Sequence, residues 1–147
     1  MKKNSRIVYL VLFLGVIFMQ AQQGLAGKDK EDAKSPAKIA VAAENSTESS
    51  KISDKAGKAP FYLIFDQNGA FIKAIKNPAQ YQQGGASSSV TALLKKEEVK
   101  TLIAVKFGDK MKNNLEAAGI EYSEHSGTAR EVVGTIIKSK QNKDAHK

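Results

Sequence analysis

The chain of 147 residues contains no cysteine and no tryptophan, and it has only three prolines and two histidines. The absence of cysteine excludes disulfide bonds, thiolate metal ligands, cysteine nucleophiles and the lipid-bearing cysteine of a lipoprotein. The fold must therefore be stabilised by burial of apolar side chains. The sequence also has no Gly-x-Ser-x-Gly nucleophile motif, no phosphate-binding loop and no dinucleotide-binding motif. We predict that this protein is not an enzyme.

The first residues have the composition of an export signal. The basic start Lys2–Arg6 is followed by the uncharged apolar stretch Ile7–Met19. As a helix this stretch spans roughly 20 Å, which is less than the roughly 30 Å of a bilayer core. Gly24 and Ala26 supply the small residues that a cleavage site needs. We therefore predict a signal peptide at residues 1–26 and an exported protein, either periplasmic or secreted.

Three segments follow the predicted signal peptide. Residues 27–37 are charged and lack aromatic side chains, so they predict a flexible tether. Residues 38–138 have the composition of one globular domain, and residues 139–147 predict a disordered tail. After signal cleavage the chain has no predicted membrane span. The alternative is an uncleaved membrane anchor that extends through Ala21.

The chain is basic, with 23 Lys and Arg residues against 15 Asp and Glu and a formal net charge of +8. Cleavage would remove three of the basic residues and none of the acidic ones. The remaining positive charge is spread along the chain, which favours anionic ligands and solubility. We predict no nucleic-acid partner, because no basic stripe is interleaved with exposed aromatic residues.

Five predicted strands indicate an α/β sheet. Lys38–Ala43 is a short apolar run typical of a central strand. Phe61–Phe65 and Ala70–Ile75 flank an Asn-Gly turn and predict an antiparallel hairpin. Val99–Val105 and Ile120–Tyr122 predict two more strands. Right-handed crossovers then give a five-stranded mixed sheet in the order 3-2-1-4-5.

Three helices alternate with the later strands. The serines at residues 87–89 are predicted N-caps of a helix through Leu94. Asp109 is the predicted N-cap of a second helix, which Gly119 ends. The third helix carries apolar residues at helical spacing from Ala129 to Ile137.

Three glycine-containing turns precede these helices, at residues 84–87, 107–109 and 126–128. The last two follow the fourth and fifth strands, beside the loop that leaves the first strand, where open α/β sheets bind ligands. Helix N-termini attract anions, although a carboxylate at Asp109 opposes this and such turns also occur at ordinary helix starts. The predicted binding residues are Lys55, Lys58, Gly84, Gly85, Gly108, His125, Gly127 and Thr128.

His125 lies between the predicted fifth strand and the last of these turns. An imidazole at the mouth of the crevice can ligate a metal ion, so we predict His125 as a metal ligand. The alternative is a polar loop residue, since a shift of one residue in the strand turns the side chain away.

A series of short segments runs from Lys38 to about Ile137. They are Lys38-Ile39-Ala40-Val41-Ala42, Ile52-Ser53-Asp54, Gly57-Lys58-Ala59-Pro60-Phe61-Tyr62-Leu63-Ile64, Asn77-Pro78-Ala79, Gly84-Gly85-Ala86, Leu115-Glu116-Ala117-Ala118-Gly119-Ile120 and Ser126-Gly127-Thr128-Ala129-Arg130-Glu131. In this order the segments resemble the dinitrogenase iron-molybdenum cofactor-binding family. The resemblance implies a ribonuclease H-like three-layer fold and carriage of an anionic iron-molybdenum or iron-sulfur cluster.

The sequence differs from the family pattern at Lys55-Ala56-Gly57, where members often have His-Phe-Gly. A lysine neutralises an anion without coordinating a metal, so this difference implies charge pairing in place of ligation. Two functions stay open. One is an exported protein that binds an anionic metal centre or a small anion. The other is a scaffold or interaction domain with an envelope protein as its partner, which kept the fold and lost the cofactor.

Overall fold

The structure is a computed structural model that describes residues 36–144. The predicted signal peptide and most of the predicted tether lie outside the described residues. The elements within this range are the strands β1 (Lys38–Ala43), β2 (Phe61–Phe65), β3 (Phe71–Lys76), β4 (Val99–Ala104) and β5 (Glu121–Glu124), and the helices α1 (Ala86–Lys96), α2 (Asp109–Ala117) and α3 (Ala129–Asp144).

The five strands form one mixed sheet in the order β3-β2-β1-β4-β5, as predicted. β1 is the central strand, and its residue Val41 lies opposite Leu63 of antiparallel β2 and Ile103 of parallel β4. β5 extends the sheet parallel to β4, and β3 extends it antiparallel to β2. The parallel pairing of β1 with β4 places the carboxyl ends of both strands at the same edge.

Alternate residues of β1 belong to two different hydrophobic cores, because successive side chains of a strand point to opposite faces of the sheet. Ala40 and Ala42 belong to the core that includes Leu94 of α1 and Leu115 of α2. Ile39, Val41 and Ala43 belong to the core that includes Val133 and Ile137 of α3. The sheet is therefore covered by helices on both faces, in three layers.

The starts of α1 and α2 differ from the sequence prediction. Gly85 is the N-cap of α1, with a φ of 71°, and Gly108 is the N-cap of α2. Asp109 is already the first helical residue, and no described side chain caps either helix. The predicted N-caps at Ser87–Ser89 and at Asp109 are therefore wrong, because the chain enters each helix at the glycine before them.

Gly119 ends α2 as predicted. Its φ is 68°, a left-handed conformation that glycine adopts without steric cost. The N–H of Gly119 donates to the carbonyl of Glu116 at 3.0 Å, and the N–H of Ile120 donates to that of Leu115 at 2.9 Å. This is the Schellman pattern of hydrogen bonds, and β5 begins one residue later.

α3 continues as a helix to Asp144, past the boundary at Lys138 that the sequence predicts. Its buried residues end at Ile137, so the last part is polar and exposed. No helix in the described range is both long and apolar enough to cross a membrane.

Candidate functional site

The loop after β1 lies along the carboxyl edge of the sheet, where backbone hydrogen bonds join it to β1 and to the segment that follows β4. The N–H of Ser53 donates to the carbonyl of Ala42 at 2.8 Å. The carbonyl of Ser53 in turn accepts from the N–H of Val105, at 3.0 Å. The N–H of Ala56 donates to the carbonyl of Lys106 at 3.4 Å. These bonds fix the loop beside the segment that leads from β4 into α2.

A cleft of about 640 Å³ opens between this loop and the starts of α1 and α2. We call it the lysine cleft, because four lysines from two segments of the chain line it. Its inner wall includes the buried side chains of Ala56, Phe107 and Met111. The complete lining is Asp54, Lys55, Ala56, Gly57, Lys58, Ala86, Ser87, Lys106, Phe107, Gly108, Asp109, Lys110 and Met111.

The lysine cleft carries an excess of positive charge. Lys55 and Lys58 come from the loop after β1, and Lys106 and Lys110 flank the start of α2. Only two carboxylates line the cleft. None of the four lysines forms an ion pair with any residue between 36 and 144. Their charges are therefore available to attract an anion from solution.

Two helix starts add unpaired backbone donors to the lysine cleft. Ala86 and Ser87 of α1 and Asp109 and Lys110 of α2 line it. The N–H groups of these four residues have no hydrogen-bond partner in the part of the chain that the structure describes. The first N–H groups of a helix carry partial positive charge, so both helix starts add to the field of the lysines.

A smaller cleft of about 320 Å³ lies beside the lysine cleft, at the start of α3. Asp54 lines both clefts, and the smaller one is otherwise lined by Lys51, Ile52, Val105, Ser126, Gly127 and Thr128.

The start of α3 is capped within the protein. The carboxylate of Glu131 accepts from the hydroxyl of Thr128 at 2.7 Å and from its N–H at 3.4 Å. The N–H of Ala129 donates to the carbonyl of Ser50 at 3.0 Å. The N–H of Arg130 donates to a second loop carbonyl, that of Glu48. These donors are already in use, so the start of α3 is a poor site for an added anion.

The structure brings only some of the predicted binding residues together. Lys55, Lys58 and Gly108 line the lysine cleft, whereas Gly127 and Thr128 line the smaller one. Gly84 and Gly85 immediately precede the α1 residues that line the lysine cleft, but they are not part of its lining.

His125 does not line either cleft. Its backbone N–H donates to the carbonyl of Ala104 at 3.0 Å, which fixes it beyond the end of β5. Its ring Nε2 is 2.8 Å from the hydroxyl oxygen of Ser123. The side chain is half-buried and lines neither of the two clefts.

Sequence reasoning missed Lys106 and Lys110, which supply half of the lysines of the cleft. The signal was present, because the two lysines flank the predicted turn at Gly108. Sequence reasoning also missed Ser87 and Met111 as lining residues. Their participation depends on how α1 and α2 approach the loop after β1.

The donor groups of the lysine cleft suit an anion better than a bare metal ion. A metal ion in the lysine cleft would have as side-chain ligands the carboxylates of Asp54 and Asp109 and the thioether of Met111. Among residues 36–144, no group of three or more His, Cys, Asp or Glu side chains is arranged to hold a metal ion. Lysines and helix N–H groups instead attract an anion through charge and hydrogen bonds.

Comparisons with known proteins agree with this fold. The apo form of the orange protein from Desulfovibrio gigas superposes with a TM-score of 0.66 and 24% identity, over 71% of this chain and 89% of that chain. A putative NifB protein from Thermotoga superposes with a TM-score of 0.60 and 23% identity, over 69% of this chain and 88% of that chain. At these identities the similarity establishes a shared fold.

The sequence itself identifies the family. No curated protein matches this sequence. Residues 37–139, which make up most of the chain, match the family described as dinitrogenase iron-molybdenum cofactor. The chain therefore belongs to the dinitrogenase iron-molybdenum cofactor family.

Proposed function

We propose that this protein is an exported, non-catalytic carrier that binds an anionic metal–sulfur cluster or a smaller anion in the lysine cleft. One observation carries the proposal: a single cleft is lined by four lysines and two helix starts, and within residues 36–144 the lysines form no ion pairs and the helix starts have no side-chain cap. Each group favours negative charge, and they are close enough to act on one ligand. Membership of a family described by an iron-molybdenum cofactor supports a cluster as the bound species.

The size and lining of the cleft favour a large anion over a compact one. Its volume of about 640 Å³ lies in the range typical of pockets for organic ligands and cofactors. Phe107 and Met111 give the inner wall an apolar, polarisable surface. A cluster with external sulfides is weakly hydrated and suits such a wall, whereas a hard oxyanion loses more hydration there. In this proposal the cluster is cargo, held by charge and not by coordination.

The proposal is tested by measuring the binding of tetrathiomolybdate, molybdate and phosphate to the purified protein by calorimetry. We expect tetrathiomolybdate to bind most tightly, because its sulfur surface matches the inner wall. Replacing Lys55, Lys58, Lys106 and Lys110 together by alanine should weaken its binding by about 100-fold, from the loss of four favourable charges. Binding should also weaken as salt concentration rises, because these lysines are exposed.

A control variant removes the same charge elsewhere, by replacing Lys95, Lys100, Lys138 and Lys140 with alanine. These residues are exposed and line neither cleft. Equal losses of affinity in the two variants would show that net charge, and not the lysine cleft, is responsible. A wild-type protein that binds none of the three anions would overturn the carrier proposal and favour the scaffold function.

Export is tested separately. The basic start and the short apolar stretch before Ala26 support it. We expect the protein in the periplasmic or extracellular fraction, with a mass that corresponds to a first residue of Gly27. An intact chain in the membrane fraction would favour the uncleaved anchor, and an intact chain in the cytoplasm would contradict export.

A further inference from the structure

A buried asparagine lies beneath the loop that supplies two lysines of the cleft. Asn77 follows β3 directly and is only 3% exposed. Its side-chain Nδ2 donates to the carbonyl of Ala59 at 2.8 Å and to that of Gly57 at 3.3 Å. Its Oδ1 accepts from the N–H of Ala79 at 2.9 Å, so the amide is held at both ends. Asn77 therefore joins the segment after β3 to the loop after β1.

A buried tyrosine completes this network. Tyr62 of β2 is fully buried, and its hydroxyl donates to the carbonyl of Ala56 at 2.6 Å. The same hydroxyl lies 3.4 Å from Nδ2 of Asn77. Burial raises the pKa of Tyr62 above its usual value, which disfavours loss of the hydroxyl proton.

The network determines which way the loop faces. The carbonyls of Ala56, Gly57 and Ala59 all accept hydrogen bonds from it. The side chains of Ala56 and Ala59 are also buried, at 3% and 0% exposure. Lys55 and Lys58 are bridged by a turn, in which the N–H of Lys58 donates to the carbonyl of Lys55 at 3.1 Å. With the carbonyls and alanines held inward, the two lysine side chains are left on the exposed side, which lines the cleft.

We propose that Asn77 and Tyr62 are positioning residues, which hold the loop of residues 55–59 so that Lys55 and Lys58 face the bound anion. The inference rests on the proposed function, since it concerns the same cleft. Neither residue lines the cleft. They act by fixing the loop before the anion arrives, which lowers the entropic cost of binding.

The test compares Asn77→Ala and Tyr62→Phe with a control, Val133→Ala. Val133 is buried against the opposite face of the sheet, so the control lowers stability without touching the loop. Binding of tetrathiomolybdate is measured far below the melting temperature, where every variant is folded. We expect about tenfold weaker binding for Asn77→Ala, a smaller loss for Tyr62→Phe and none for the control. Amide hydrogen exchange in residues 56–59 should be faster in the first two variants only.

A double-mutant cycle separates positioning from a general loss of stability. In a Lys58→Ala background, Tyr62→Phe should weaken binding less than it does in the wild type, because one lysine that it positions is absent. Unchanged affinity in both Asn77→Ala and Tyr62→Phe, while the wild type binds the probe, would overturn the positioning role alone. A wild type that does not bind the probe, or binds it with Lys55 and Lys58 removed as tightly as before, would overturn the proposed site itself.

Discussion

The starts of α2 and α3 look alike in the sequence but differ in the structure. Each begins after a strand and a glycine, at Gly108 and Gly127. At α3 the N–H groups donate to Glu131 and to carbonyls of the loop after β1. At α2 the N–H groups of Asp109 and Lys110 have no partner in the described structure and line the lysine cleft. A glycine turn before a helix therefore predicts a helix start, but not whether that start can accept a ligand.

The residue three positions after the N-cap accounts for part of this difference. Glu131 lies three residues after Thr128, and its carboxylate accepts from the N–H and the hydroxyl of Thr128, which is the carboxylate half of a capping box. Met111 occupies the same position relative to Gly108 in α2, and Ser88 occupies it relative to Gly85 in α1. Neither of these side chains supplies a cap. The sequence thus contains a signal that separates the capped start from the two uncapped ones.

Charge reversal in each cleft should give the largest contrast. Lys58→Glu places a negative charge in the lysine cleft, and we expect it to weaken tetrathiomolybdate binding by about 30-fold. Lys51→Glu makes the same change in the smaller cleft and should weaken binding by less than about threefold, because an exposed charge farther away is screened by salt. Titration calorimetry at one salt concentration measures both. A larger effect at Lys51 would move the binding site to the smaller cleft.

Removal of a helix-start hydroxyl should affect stability only at the capped helix. Thr128→Ala removes the hydrogen bond that this hydroxyl donates to the Glu131 carboxylate at the start of α3, and it should lower the free energy of unfolding by about 1 kcal/mol, with anion affinity unchanged. Ser88→Ala in the first turn of α1 removes no cap and only an exposed hydrogen bond from Asn114, so it should change the free energy of unfolding by less than about 0.5 kcal/mol. Urea denaturation measures both free energies. Similar losses in the two variants would contradict the assigned difference in capping.

Addition of a capping side chain to α2 should stabilise the protein and weaken anion binding. Both changes should be smaller than those expected for Thr128→Ala and Lys58→Glu. Gly108 has a φ of −74°, and a Cβ atom there would meet nothing within 4 Å, so serine fits. Gly108→Ser should raise the free energy of unfolding by about 0.5 kcal/mol, because the hydroxyl accepts from the helix start. It should weaken tetrathiomolybdate binding about threefold, since those N–H groups are no longer available. Unchanged affinity in a variant that is more stable would show that the anion does not use the start of α2.

Much of the fold was predictable because local patterns and chain connectivity agree. The apolar run of β1 and the aromatic run of β2 are almost entirely buried, and the two strands are neighbours in the sheet. The rule for right-handed crossovers then gives the confirmed strand order. The exact helix starts were less predictable, because Ser87 and Asp109 have good capping side chains but the backbone enters each helix one or two residues earlier.

The candidate site was only partly predictable. Lys55, Lys58 and Gly108 line one cleft at the carboxyl edge of the sheet, where the sequence predicts the binding site. His125 follows the end of β5, but its side chain is hydrogen-bonded to Ser123 and lines neither cleft. The sequence indicates where a strand ends, but the direction of a side chain there depends on the local backbone and on the neighbouring hydroxyl.

The sequence by itself determined the strand order and the excess of positive charge, because connectivity and composition are local or additive properties. Only the tertiary structure decided that four lysines share one cleft and that Asn77 and Tyr62 donate hydrogen bonds to the loop that carries two of them. It also decided that α3 is capped by a distant loop. These features depend on contacts between segments that are far apart in the chain, which packing of the helices and loops on the sheet brings together.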